Sequence, residues 1–326
     1  MRWNRIGARR KSGQMKRKKA QNIYLGIGLI LLSTLSFTLM SAIIRWLGNR
    51  VPLGEVVFAR SFFALVPLFL MLLWRRELRL AVQFNNPWGH VGRAIASIGS
   101  MFCNFAALAR IPLVDATAIA FATPLLNVAL AAIFLGEKVR KFRWIAVFIG
   151  FVGVLIMLSP NFTTASRQEA ALAGSLFAVA GVILTSAAMT QVRQMSKTET
   201  TASMVFSFTA LSTLASFVTI PDWIWPAPGD AIALVCSGIF GGIGQITVTE
   251  SYRHAGAGTV APFAYTSMIY SLIIGYSLFG EVPQAVVLLG ALLVVFAGLF
   301  VLYRERKLRI DRTREREAET PTSAAL

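Results

Sequence analysis

The chain has 326 residues, of which 56% are hydrophobic and 14% charged, with a formal net charge of +17. Soluble domains carry about 25% charged residues, so a soluble globular protein of this length is excluded. The excess of Lys and Arg would suit a nucleic-acid partner, but it sits in tails and short turns between apolar stretches. That is the distribution membrane topology demands, and nucleic acid drops out as a partner in favour of the lipid bilayer.

Residues 1–21 form a basic tail, with nine Lys/Arg and no acid among the first twenty, suited to the cytoplasmic face beside anionic headgroups. The span that follows lacks a small-residue cleavage site and so reads as an uncleaved anchor. Ten apolar stretches long enough to cross a bilayer are expected at 24–44, 55–73, 91–109, 116–135, 144–158, 172–190, 202–220, 231–250, 258–279 and 285–303. The fifth is short, and its start lies near Phe142 in a basic turn. Residues 159–171 read as a linker. Residues 304–326 read as a charged cytoplasmic tail, helical for a turn or two and then disordered. The longest connection, 74–90, is about 17 residues and has no room for a soluble domain. With the N-terminus inside, 26 Lys/Arg fall on inner segments and four (Arg45, Arg50, Arg110 and Arg167) on outer ones. This sets both termini of a multi-pass membrane protein in the cytoplasm.

A hairpin is written twice, over 115–157 and 256–303. Pro124-Leu125-Leu126-Asn127 leads over twelve positions into Gly136-Glu137, and Met268-Ile269-Tyr270-Ser271 leads over the same twelve into Gly280-Glu281. Phe121 pairs with Tyr265, Asn127 with Ser271 and Phe134 with Leu278, all at an offset of 144. The repeat divides the chain into halves, 22–158 and 172–303, of five helices each. Five is odd, so the second half enters the membrane from the opposite side. Inverted halves enclosing a site near the midplane are the architecture of many secondary transporters.

These stretches resemble the drug/metabolite transporter superfamily, EamA type, over roughly residues 22–303. The matching residues are Glu55-Val56-Val57-Phe58-Ala59-Arg60, Ala107-Leu108-Ala109 with Ala116-Thr117-Ala118, Pro124 through Gly136-Glu137, Gly150-Phe151-Val152-Gly153, and Ala261-Pro262-Phe263-Ala264-Tyr265 through Gly280-Glu281. Within it the Glu55–Arg60 opening and the Ala-Pro-x-x-Tyr run look most like bacterial S-adenosylmethionine uptake carriers, with riboflavin and amino-acid or metabolite carriers sharing much of the pattern. The resemblance implies an all-α protein of ten membrane helices in two inverted five-helix repeats. It also implies a central cavity for a small-molecule substrate and no ATP hydrolysis. A coupling proton or counter-substrate fits that class. Met268 departs from Pro124, which predicts a helix distortion that is weaker or absent in the second half.

Ionisable residues inside a span are costly and therefore candidates. Arg60 is an anchor or a substrate or gating contact. Glu55, five positions earlier, lies about 140° away around the helix and cannot bridge it directly. Arg93 begins the third span, where its stem can snorkel to the surface. In the eighth span Gly238, Gly242, Gln245, Thr249 and Tyr252 fall on one face. The two glycines there invite close helix approach, and Gln245 suits either a polar substrate or an interhelical bond. Ser97, Ser100 and Asn104 share a face of the third span, and Asn127 is the remaining mid-span amide. Tyr265 is the best placed of the second-half aromatics for stacking. Glu250 binds a coupling proton or pairs with Arg253. Glu137 and Glu281 are expected to cap the helices that follow them.

Nothing else in the chain announces catalysis, a cofactor or a metal. The two histidines, His90 and His254, lie in different halves. The sequence holds no His-Glu-x-x-His pair and no phosphate loop, and the two cysteines, Cys103 and Cys236, fit packing roles. Asn161-Phe162-Thr163 is a glycosylation sequon by pattern only. The expected function is therefore alternating-access transport of a small metabolite. A non-transporting membrane scaffold or receptor is the alternative from another class.

Overall fold

Apolar runs this long must bond their own backbone, because hydrocarbon offers no partner, and helix is the only open arrangement that does so. The computed structural model describes residues 22–135, 141–159, 168–196, 198–255 and 257–319, and among them no strand occurs. The basic N-terminal tail, the Gly136–Glu137 turn, Arg167 and the Asn161 sequon lie outside the described residues. The first half holds α1 (Ile23–Leu47), α2 (Leu53–Arg75), a short α3 (Leu78–Ala81), α4 (Pro87–Leu108), α5 (Leu113–Ala120), α6 (Thr123–Leu135) and α7 (Lys141–Leu158). The second holds α8 (Gln168–Met195), α9 (Thr201–Ser216) with a 3-10 turn at Phe217–Asp222, α10 (Pro228–His254), α11 (Ala257–Ala264), α12 (Thr266–Phe279) and α13 (Ala285–Glu319). Among the described residues nine segments are long and apolar enough to span a membrane by length and composition, and the protein is a multi-pass membrane protein. The helix ends follow local chemistry. Asn22 and Asn86 accept from the N–H groups of Leu25 and Gly89 at the starts of α1 and α4. Gly280, at φ +63°, closes α12, with the Glu281 N–H reaching the Gly275 carbonyl, a left-handed cap that a residue with a Cβ strains to adopt.

Two expected spans are not continuous. The fourth breaks at Phe121–Ala122 into α5 and α6, and the ninth breaks at Tyr265 into α11 and α12. The missing tenth long segment is this second pair, since eight and fourteen residues each fall short of a span. The expected weaker distortion in the second half is also corrected. Met268 replaces Pro124, yet the break sits at the same repeat position in both halves. Pro124 opens α6, where a missing N–H costs nothing, whereas Pro262 lies inside α11 three residues before the break and removes a helical bond there. The tail differs too, for α13 runs on to Glu319 rather than stopping a turn or two past the membrane.

The halves interleave. α1 and α2 pack on α10, α4 on α8, and α7 on α13, so each main helix pair takes one member from each repeat. Glycines set the close approaches. A Cβ at Gly238 would fall 2.8 Å from the Ala59 carbonyl oxygen and run into Phe63, and one at Gly242 would fall 3.0 Å from the Ala64 carbonyl oxygen. The 4-residue glycine spacing on α10 is therefore a contact surface for α2, as expected from the sequence. At the α7–α13 crossing a Cβ on Gly153 would come within 2.8 Å of the Gly290 carbonyl oxygen. Two ends are named below by residues: the Arg45 end, where α1 finishes, and the Arg75 end, where α2 finishes.

Overpacking of such a crossing costs about 1–3 kcal/mol. Gly238→Ala is expected to lower the unfolding midpoint of the detergent-purified protein by that equivalent. Gly28→Ala, where nothing lies within 4 Å of the new Cβ, is expected to leave it unchanged or slightly raised. Equal midpoints for the two variants would remove the glycine contact as the cause.

Candidate functional site

A cavity of about 470 Å³ lies between α1, α2, α4, α5 and α8, with Ser267 of α12 at its edge. Besides Ser267 its polar lining comprises Thr38, Ser41, Arg60, Asn104, Thr117, Thr123 and Thr185, and Phe37, Met40, Met101 and Phe105 supply apolar wall. It sits at the level of the two helix breaks, where irregular backbone can be solvated or shielded by protein. The volume falls in the range of small-molecule sites, about 300–1,000 Å³.

Arg60 lies seven residues into α2, about 10 Å along its axis, and is 7% exposed. A guanidinium at mid-span costs about 2.5–3.5 kcal/mol to insert. Among the described residues no carboxylate lies within ion-pairing distance of it. Its contacts are the Met101 sulfur, 3.9 Å from a terminal nitrogen, and the face of Phe208 at 5.7 Å; its Nε has no partner. Asn104 donates to the Ser100 carbonyl at 2.8 Å and to its hydroxyl at 3.0 Å, and Ser100 meets Thr185 of α8. The Ser100–Asn104 face thus both binds α4 to α8 and borders the cavity.

The Arg45 end is closed by a network centred on Glu281. One carboxylate oxygen meets Arg45 at 2.9–3.0 Å, and the other accepts the Leu113 N–H at 2.9 Å; Arg45 also donates to the Leu108 carbonyl. Glu281 does cap a helix, but the helix is α5, 168 residues away, and not the one that follows it. Behind this seal α5 packs on α12, with Thr117 and Ser271 hydroxyls 2.8 Å apart. The inverted repeat makes α6 and α11 the counterparts of α12 and α5. Among the described residues those two do not form a comparable contact.

The remaining expected residues scatter. Gln245 does not line the cavity; it borders two voids of about 30 and 10 Å³ between α2, α9 and α10, the smaller of which Arg60 also lines. Asn127 is on α6 with a buried Oδ1 that has no partner, and it does not line the cavity. Tyr265 packs on Phe121, its repeat mate, with ring centroids 5.0 Å apart. Glu55 is buried and accepts the Ile224 N–H at 3.4 Å. Glu250 pairs with Arg253 at 3.3 Å, and more closely with Arg75 at 2.6 Å. Pro124 is exposed at the start of α6. Arg93 does not snorkel: it is buried, donates to the Met204 carbonyl and lies over Phe208, because α9 covers that face of α4.

Sequence reasoning missed the hydroxyls. Thr117 and Thr123 line one wall from the two sides of a break that periodicity alone does not show. It also missed a buried cluster at the Arg75 end. Glu199 accepts the N–H groups of Asn85 and Asn86 at 2.8 and 2.7 Å and faces His90 Nε2 at 3.4 Å. His90 Nδ1 is in turn 2.6 Å from the Ser207 hydroxyl. Burial raises the Glu199 carboxyl, but the Asn86 amide, His90 and the Asn85 amide outweigh it and hold the group below its ordinary value.

The profile of the EamA-like transporter family matches residues 24–159 and 172–304. An S-adenosylmethionine uptake transporter of Rickettsia bellii is 27% identical over 87% of this chain and 95% of its own length. The pseudopaline exporter CntI of Pseudomonas aeruginosa is 28% identical over 86% and 97%, and a riboflavin transporter of Rhizobium johnstonii is 25% identical over 85% and 91%. A solved structure superposes with a TM-score of 0.62 at 21% identity, covering 88% of this chain and 97% of the other. At that identity it bears on the fold alone.

A carboxyl held below its ordinary value contributes stability that is present above that value and is lost as pH falls through it. Glu199→Gln is therefore expected to lower the unfolding midpoint near pH 7 by roughly 2–4 °C. The gap to the native chain should close as pH is lowered through the glutamate range, below about 4.5. A gap that stays constant to acid pH would mean that the carboxylate charge is not what holds the α8–α9 connection to α4.

Proposed function

We propose that this chain, which belongs to the EamA-like transporter family, is a secondary carrier that moves a small metabolite by alternating access between its inverted halves. The observation that carries the reading is the polar-lined cavity at the level of both helix breaks, sealed at one end by Glu281 and by α5 against α12. The repeat relates that seal to an α6–α11 closure at the other end, so two equivalent states follow from one packing mode. With the N-terminus in the cytoplasm of a bacterial cell, as the basic turns favour, the arrangement is closed to the outside.

S-adenosylmethionine uptake is the finer reading, supported by the Glu55–Arg60 and Ala-Pro-x-x-Tyr stretches and by relatives that carry that name. Riboflavin or another metabolite is the second reading, and the similarly distant exporter leaves direction unassigned by resemblance. Arg60 and Asn104 are the residues assigned to the substrate; Asn127, Gln245 and Tyr265, away from the cavity, are assigned to packing and to movement of the half-helices. Glu55, Pro124, Gly238, Gly242 and Glu250 are assigned to structure and gating.

The test is uptake into proteoliposomes of labelled S-adenosylmethionine, with riboflavin and an amino-acid mixture in parallel, with and without an imposed proton gradient. Saturable flux of an unchanged compound supports the carrier. Its absence for every compound would shift weight to a scaffold or receptor. In any active assay, Asn104→Ala is expected to cut uptake by about tenfold at unchanged abundance. Gln245→Ala is expected to stay within about twofold of the native chain, since the energy at stake outside the cavity is only a few tenths of a kcal/mol. The reverse ranking would put the binding site on the other side of α2.

A further inference from the structure

Among the described residues several membrane-level cations have oxygen partners. Those near the ends have acids: Arg45 meets Glu281, Arg50 meets Asp230, and Arg75 and Arg253 meet Glu250. Arg93 and Arg110 give hydrogen bonds to backbone carbonyls. Arg60 has neither. It is more than nine-tenths buried, faces the cavity with one side and a void of about 10 Å³ shared with Gln245 with the other, leaves Nε without a partner, and has a thioether and an aromatic face as its interaction partners.

A buried charge is tolerated when a counter-charge and hydrogen bonds offset its desolvation. Among the described residues none supplies such a group, and none of the cavity lining is an acid. Glu281 is committed at the Arg45 end, and Glu55 is turned to Ile224. The guanidinium presents a planar fork that matches the two oxygens of a carboxylate. It is the single charge in the lining, which suits a monoanionic group better than a phosphate carrying −1.5 to −2.

We propose that the cavity takes a metabolite bearing a free carboxylate, clasped by Arg60, while Phe37, Met40, Met101 and Phe105 receive its less polar body; this rests on the carrier reading above. A molecule that is only cationic has no counter-charge here and is rejected. Positive charge elsewhere on the substrate is tolerated only alongside the carboxylate.

The experiment is thermal unfolding of the detergent-purified full chain, titrated with matched pairs, since a ligand that binds the folded state raises the midpoint in proportion to its affinity. The pairs are S-adenosylmethionine with its decarboxylated analogue and L-methionine with L-methioninamide. Riboflavin and glycerol 3-phosphate serve as probes without a carboxylate. At least one acid is expected to stabilise the native chain, and its partner lacking the carboxylate to bind about 30-fold more weakly or worse. Arg60→Gln is expected to abolish the acid's advantage, so that both members of the pair bind alike. Arg60→Lys keeps the charge but loses the fork and is expected to fall between. The comparison within pairs on the native chain does not depend on either variant folding.

Equal binding of acid and analogue, an advantage that survives Arg60→Gln, stabilisation by glycerol 3-phosphate instead, or no stabilisation by any acid would each overturn the proposal. Uptake of riboflavin that is indifferent to Arg60→Gln would overturn it while leaving the carrier intact. Arg60-dependent binding of an acid without flux would uphold the site and discard transport.

Discussion

Hydrocarbon gives a backbone amide no partner, and the two helix breaks are the places where this chain comes closest to violating that constraint. Both breaks keep their bonds by local repair. The N–H groups of Phe121 and Ala122 reach back three residues, and those of Tyr265 and Met268 do the same. Freed carbonyls are taken by hydroxyls: Thr123 by Ser186 at 3.3 Å, Phe263 by Thr266 at 2.7 Å and Ala264 by Ser267 at 2.9 Å. The breaks must therefore face protein rather than lipid, and Phe121 and Tyr265 pack where they meet with their rings tilted by 53°. The site of the cavity follows, since it opens beside the segments that could not be turned outward.

Charge is sorted by the same logic. Near the ends, where water screens and solvates, acids and bases are paired across helices of opposite halves, as in Arg45 with Glu281 and Arg75 with Glu250. At the midplane the protein keeps hydroxyls, one amide and Arg60. The end networks tie half-helices to long helices, and the middle is left for chemistry that the chain itself does not complete.

Helix count, the duplication and its inversion were legible in the sequence because they depend on local hydropathy and on identity at a fixed offset. So was the glycine face of α10, because spacing along a helix fixes which residues share a face. The breaks were legible only in part: Pro124 suggested a distortion in the first half, but the break falls at Phe121 and Ala122, neither glycine nor proline, where Ser186 of α8 reaches the Thr123 carbonyl. Gln245 shows the limit of periodicity, which says that it shares a face with Gly238 and Gly242 but not that this face packs on α2 and leaves Gln245 outside the cavity lining. Arg93 shows another. Its depth along α4 suggested an easy reach to water, and only the position of α9 shows it covered. Of the cavity itself, Arg60 and Asn104 were visible as costly polar residues inside apolar spans, whereas Thr117 and Thr123 were indistinguishable from ordinary helix threonines.

The interleaving of the halves also governs the order in which the chain can be made. α1 packs chiefly on α10; Ser33 donates to the Gly244 carbonyl across 211 positions, and Ser251 to the Gly26 carbonyl across 225. A ribosome delivers the first half long before those partners exist. During that interval Arg60 and the serine-rich faces of α1 and α4 stand in a half-built protein, against lipid or each other. Contacts this distant in sequence make assembly slow. The first repeat therefore lacks its main packing partners, and Ser33 its carbonyl acceptor, until the second repeat arrives.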